Sequence, residues 1–167
     1  ADEMCAHGTI GAVCNVRGDF DAAEKLYRLA IELSEERDAM AYNNLGALLK
    51  HARKDFSGAE QALRRAIELE PTNESAHANL ASLLHIERKD FDGAELMYRK
   101  ALELNANYLN AHLGLASLLL LVRNDFDGAE QACRKALEID PENKNAQALL
   151  QNTLLKKPQK KKGFFSR

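Results

Sequence analysis

One phrase returns four times along the chain, and it constrains the fold more than anything else in the sequence. Gly18-Asp19-Phe20-Asp21-Ala22-Ala23-Glu24 reappears as Lys54-Asp55-Phe56-Ser57-Gly58-Ala59-Glu60, as Lys89-Asp90-Phe91-Asp92-Gly93-Ala94-Glu95 and as Asn124-Asp125-Phe126-Asp127-Gly128-Ala129-Glu130. The phenylalanines stand 36, 35 and 35 residues apart. Self-similarity at this period marks stacked supersecondary units, each of which buries its apolar face against a neighbour.

Each unit reads as two helices. The first carries leucines four apart: Leu45 and Leu49, Leu80 and Leu84, Leu115 and Leu119. The second carries Phe56, Ala59, Leu63, Ala66 and Ile67, then Phe91, Ala94, Tyr98, Ala101 and Leu102. Steps of three and four trace one helical face. Cap-x-x-Glu boxes at Asp21, Ser57, Asp92 and Asp127 predict the starts of the second helices. The outer face runs Glu60-Arg64-Glu68, Glu95-Arg99-Glu103 and Glu130-Arg134-Glu138, pairs worth about 0.2–0.5 kcal/mol each, which reads as a solvated face. Pro71 and Pro141 close two units, whereas Ala106 stands in that column of the third.

These columns resemble the tetratricopeptide repeat family. Tyr42-x-x-Leu45-Gly46-x-x-Leu49, Ala59-x-x-x-Leu63 and Pro71 match its pattern, and Ala94-x-x-x-Tyr98 and Ala129-x-x-x-Cys133 match it in part. Three units depart by one extra residue before Asp-Phe, as in His51-Ala52-Arg53-Lys54 against Val16-Arg17-Gly18; the first carries its extra residue around Glu35-Glu36-Arg37-Asp38. Ala41-Tyr42-Asn43-Asn44-Leu45-Gly46 and Ala76-His77-Ala78-Asn79-Leu80-Ala81 are similar to a phrase in the repeat array of O-linked N-acetylglucosamine transferases, without any catalytic domain. The resemblance implies an all-α, right-handed superhelical solenoid of four helix-turn-helix repeats. They would span about 4–38, 39–73, 74–108 and 109–143, followed by a capping helix over 144–155. Residues 156–167 read as a basic, flexible tail beyond the repeat domain 1–155.

Charge and composition narrow the function. The six basic residues from Lys156 onward leave 17 basic against 25 acidic residues in 1–155, a net −8. An acidic body argues against specific nucleic-acid binding. Cys5, Cys14 and Cys133 have no paired spacing, which predicts neither a zinc site nor a disulfide framework and suits the cytoplasm or another reducing compartment. No run of 18 apolar residues suggests a membrane span, and the first residue is not Met, so a removed targeting segment stays open. There is no Gly-rich phosphate loop, Gly-x-Ser-x-Gly or His-Glu-x-x-His, so no enzyme, cofactor or metal is expected. His7, His77 and His112 share a column with Tyr42 and read as packing residues; Cys14 and Cys133 fall in core columns.

The expected function is a protein–protein interaction scaffold or adaptor. Alternatives are a structural subunit of a large assembly, held by its edges and tail, or the non-catalytic repeat region of a longer enzyme. The resemblance implies that the first helices line a concave peptide groove. Its exposed columns would include Asn43, Asn44, Ala47 and Lys50, then Asn79, Ser82 and His85, then Leu113, Ser117 and Leu120. Asn44 and Asn79, one repeat apart, could grip an extended peptide backbone or merely brace neighbouring helices. Leu113 and Leu120 would form an apolar seat. The carboxylate clamp of heat-shock co-chaperones is argued against, because its columns hold Gly8, Ala12, Asn44, Ser75 and Asn79 in one frame and Asn43, Ala47, Asn79, Asn110 and Gly114 in the other. The basic tail, with Phe164 and Phe165, could meet an anionic membrane surface or an acidic subunit, act as a nuclear signal, or simply solubilise.

Overall fold

The computed structural model describes the backbone of residues 2–158 and the side chains of residues 7–158. Among the described residues all regular structure is helical: α1 (Asp2–Val16), α2 (Phe20–Leu33), α3 (Ala39–Leu48), α4 (Phe56–Leu69), α5 (Glu74–Leu83), α6 (Phe91–Leu104), α7 (Leu109–Leu118), α8 (Phe126–Ile139) and α9 (Lys144–Lys156). None of these helices is long and apolar enough to cross a membrane.

The extra residue of the later units has a structural form. Five-residue π-helical segments, Leu49–Arg53, Leu84–Arg88 and Leu119–Arg123, continue α3, α5 and α7. A π turn closes from residue i to i+5, so it absorbs one inserted residue without breaking the helix. Each segment ends on a left-handed residue: Lys54 (φ 58°), Lys89 (φ 58°) and Asn124 (φ 55°). α1 has no such segment and turns through Gly18 at φ 81°; its unit has instead two left-handed residues, Glu35 and Glu36, in the following linker.

The chain divides into two compact units, Ala1–Ala111 and His112–Arg167. In the first, α1 packs on α2, α3 on α4 and α5 on α6; α2 also packs on α3, and α4 on α5. The second helices present a stripe of small residues that permits close approach. Ala23, Ala30, Ala59, Ala66, Ala94 and Ala101 are all fully buried, with Tyr27, Leu63 and Tyr98 between them. Opposite Leu63 stands Gly46, where an added Cβ would lie 2.7 Å from Leu63 Cγ. In the second unit α8 packs on α9, and Ala116, Ala132 and Cys133 form a core flanked by Leu149 and Leu150. Burial pushes the Cys133 thiol up from its ordinary value.

Three sequence expectations need correction. The second helices are capped two residues earlier than Asp21, Ser57, Asp92 and Asp127. Asp19, Asp55, Asp90 and Asp125 accept from the backbone N–H groups of Ala22, Gly58, Gly93 and Gly128 at 2.9–3.0 Å. The left-handed residue just before each of these aspartates turns the chain, so the helix begins at the phenylalanine. Phe56, Phe91 and Phe126 are therefore half-buried first-turn residues at a hairpin end, and Phe20 is 40% exposed. Finally, Leu118 and Leu120 are buried, whereas the neighbouring Leu121 is exposed. With 1% of its surface exposed, the Leu120 side chain is spent in the core and offers no apolar seat.

At the C-terminal end α9 reaches Lys156, and Lys157 Nζ donates to Asp127 and Glu130 at 2.6 and 2.7 Å. The basic stretch therefore starts as an anchored segment. Its remainder, 159–167, with Phe164 and Phe165, lies outside the described residues.

A candidate peptide-binding face

Asn43, Ala47 and Lys50 follow one another at i, i+4 and i+7, so they form one stripe along α3 and its π segment. Asn79 and Ser82 lie on α5, and His85 on the next π segment. All six belong to the first compact unit, which brings them together as a face of two adjacent first helices.

The amides do not form the simple ladder that the 35-residue spacing suggests. Asn79 Nδ2 donates to Asn43 Oδ1 at 2.9 Å, and Asn43 Nδ2 donates to Asn44 Oδ1 at 3.4 Å. Asn43 is 9% exposed, whereas Asn44 and Asn79 are half-buried. Asn43 is thus the brace between repeats. Asn44 Nδ2 and Asn79 Oδ1 make no hydrogen bond among the described residues. They supply one donor and one acceptor, the pair that an extended peptide backbone can satisfy.

Lys50 is the least expected member. It is 5% exposed, and its Nζ donates to Ser82 Oγ at 3.1 Å. Burial lowers its pKa to about 8, and the field of Glu87 only partly opposes that. Half-buried Ala47, Ser82 and His85 surround it on the face. The His85 ring stands edge-on to Phe91 and Tyr98, with centroids 6.1 and 6.4 Å apart, and burial lowers its pKa, with Lys89 adding to the effect. Burial pushes the Tyr98 hydroxyl up to about 12, with a bond to Ser82 opposing.

Sequence columns placed Lys50 beside His85. The contact instead joins residues 32 apart, because the π turn swings Lys50 toward the preceding turn of the next repeat. Only the extra residue before Asp55 signalled that swing. The other expected groove residues, Leu113 and Ser117, are half-buried and belong to the second compact unit.

The histidine column packs as its position suggests. His77 is 4% exposed, with Nδ1 2.9 Å from the Asn73 carbonyl, and His112 is also buried. Among the described residues no group of three His, Cys, Asp or Glu side chains is placed to hold a metal ion.

Comparison with known proteins fits the hairpin geometry. Three family models, each described as tetratricopeptide repeat, match residues 2–72, 47–108 and 85–152. The chain belongs to the tetratricopeptide repeat family. Its fold is the α solenoid of helix-turn-helix repeats seen in several solved structures. The structure titled "Functional Characterization of Pseudomonas Aeruginosa pilF" superposes with a TM-score of 0.83 at 20% identity, over 93% of this chain and 69% of that one. A crystal structure of MamA protein gives 0.74 at 20% identity, over 92% and 81%. The first repeat domain of Spaghetti (RPAP3), bound to HSP90 peptide SRMEEVD, gives 0.65 at 20% identity, over 70% and 90%. No curated protein sequence matches the chain.

Proposed function

We propose that this tetratricopeptide repeat protein is a non-catalytic scaffold that holds an extended peptide or subunit segment on the first-helix face of residues 43–85. One observation carries the reading: Asn44 Nδ2 and Asn79 Oδ1 remain as an open donor and acceptor beside a brace already completed by Asn43. Each of these half-buried amides bonds Asn43 through one end, and a peptide backbone would use the other ends. The solved relative that carries an HSP90 peptide supports peptide binding as a use of this fold. The clamp columns here hold no cation, so the ligand is not expected to be held by its C-terminal carboxylate. A reducing compartment suits the chain, since Cys14 and Cys133 are free thiols.

Peptides selected on the immobilised chain from a random display library provide the test. The double change Asn44→Ala with Asn79→Ala should weaken them by about 1 kcal/mol per lost hydrogen bond; it also lowers the melting temperature, because buried Asn43 loses both partners, so affinity is compared at a temperature where both proteins are folded. Unchanged affinity sinks this placement.

A second reading is favoured by α1. Ile10 and Val13 are 50% and 45% exposed, while their column mates Leu45 and Leu80, and Leu48 and Leu83, are at most 4% exposed. In the later repeats of this unit those columns lie in helices backed by the preceding second helix, α2 or α4. A similar helix laid on α1 would make the chain part of a longer array or of an assembly. Light scattering on wild type and on Ile10→Ser with Val13→Ser tests that: self-association or partner binding should fall in the variant.

A further inference from the structure

A buried lysine ammonium is costly unless an acid faces it. Among the described residues Lys50 forms no ion pair. Its described partner is the neutral Ser82 hydroxyl, which occupies one of three N–H donors. The charged and titratable groups around it are Glu87 from the next π segment, which acts on it only through its field, and His51 and Lys54 from its own turn. Tyr98 from α6 reaches the same Ser82, and half-buried His85 borders the face.

We infer that Lys50 and Ser82 form a seat for the side-chain carboxylate of a bound peptide, an aspartate or glutamate whose oxygen accepts from the free N–H donors of Lys50 Nζ. This rests on the peptide-binding reading of the same face. Lys50 stands six residues beyond Asn44, about 9 Å along the helix, so a backbone held at Asn44 and Asn79 passes within side-chain reach of it. A side chain fits better than a chain end, because the seat lies along the path of such a peptide. The repeat body carries a net charge of −8 over residues 1–155, so it repels acidic runs; the ligand it selects carries an isolated acid. The depressed basicity of Lys50 supports the same assignment, since an arriving carboxylate restores the charged form.

The seat can be read directly by NMR of lysine side chains in the full chain, with three small probes. N-acetylglutamate N-methylamide presents a side-chain carboxylate, its glutamine analogue presents none, and N-acetylglycine presents a terminal one. The glutamate probe should shift the Lys50 signals saturably, at least tenfold more tightly than the glutamine analogue, and should move the Lys50 titration upward. Lys50→Met should abolish that preference while melting cooperatively, and Glu87→Gln should strengthen it by removing the competing negative charge. Equal response to glutamate and glutamine probes, or the same response from every lysine, overturns the seat. A preference for N-acetylglycine overturns the side-chain assignment. The Asn44 and Asn79 variant with selected peptides judges the peptide-binding face separately, so the two readings fail by different signs.

Discussion

The Arg88 guanidinium donates across a repeat boundary to Glu60, 2.9 Å away, while Arg64 of the same helix as Glu60 takes its other oxygen at 2.7 Å. Burial works to raise the Glu60 pKa, yet the bonds from Arg64 and Arg88 together hold it below the ordinary carboxylate value. Glu24 likewise pairs with two cations, Arg28 and Arg53 of the next repeat, and Glu130 with Arg134 and Lys157. The outer charges are therefore more than a solvated face. They clasp α2 and α4 to the turn that follows the next first helix, and α8 to the end of α9.

A double-mutant cycle on Glu60→Gln and Arg88→Met should give a coupling of about 0.5 kcal/mol, as expected for a half-exposed pair in a network. The coupling should shrink as salt rises from 0.05 to about 1 M. Urea melts at two salt concentrations measure it. A coupling indistinguishable from zero at low salt would mean the contact is incidental.

The hairpins, their period and the extra residue were legible, because apolar spacing and repeated phrases follow helical geometry directly. The form of the extra residue was not. The sequence marks one extra residue within His51-Ala52-Arg53-Lys54 but not its conformation, and only the backbone shows Leu49–Arg53 as a π turn. The cap was placed two residues too late for a related reason. Asp55 and Ser57 both suit an N-cap, and the left-handed Lys54 decides for Asp55. Burial of Lys50 was beyond sequence logic, since its column holds His85 and Leu120 and gives no sign of which way the turn rotates.

Column position alone does not set the energetic weight of a side chain. Leu83→Ala should cost about 2–5 kcal/mol, because Leu83 is fully buried. Val13→Ala, in the same column, should cost under about 1 kcal/mol, because Val13 is 45% exposed. Phe91→Ala should fall between them, since the ring is half-buried and leaves an incomplete cavity. Thermal melts of the three variants give the order directly. If Val13→Ala proves as damaging as Leu83→Ala, α1 is covered in solution by something that the isolated unit does not show.

Lys157 completes for α8 what Arg53 and Arg88 do for earlier repeats, and its basicity is raised by Asp127 and Glu130. Its backbone N–H also closes α9 on the Thr153 carbonyl at 2.9 Å. Lys157→Ala should fray the last turn of α9 without unfolding α8. Hydrogen exchange should then speed up at residues 155–157 and stay unchanged at Ala132 and Cys133. Unaltered exchange in the last turn would show that the anchor does not hold the helix end.

Lys50 allows a pH test with a definite sign. Its pKa falls from 10.5 in the unfolded chain to about 8 in the fold, so the folded state binds fewer protons between those values. Unfolding then takes up a proton, and stability rises with pH across the window. Below about pH 8 the fold carries the full cost of the buried charge; by pH 10.5 that cost is relieved. Lys50→Met removes it at every pH, so the variant should be more stable than wild type at pH 7 by on the order of 2 kcal/mol. The difference should narrow as pH rises from 8 to 10.5, with other lysines cancelling because both proteins share them. Paired urea melts at pH 7, 8.5 and 10 measure the difference. A residue that weakens its own fold, kept where an apolar one would pack better, is what a binding seat requires. If Lys50→Met is instead less stable at pH 7, the amine has a structural partner and the carboxylate seat loses its energetic basis.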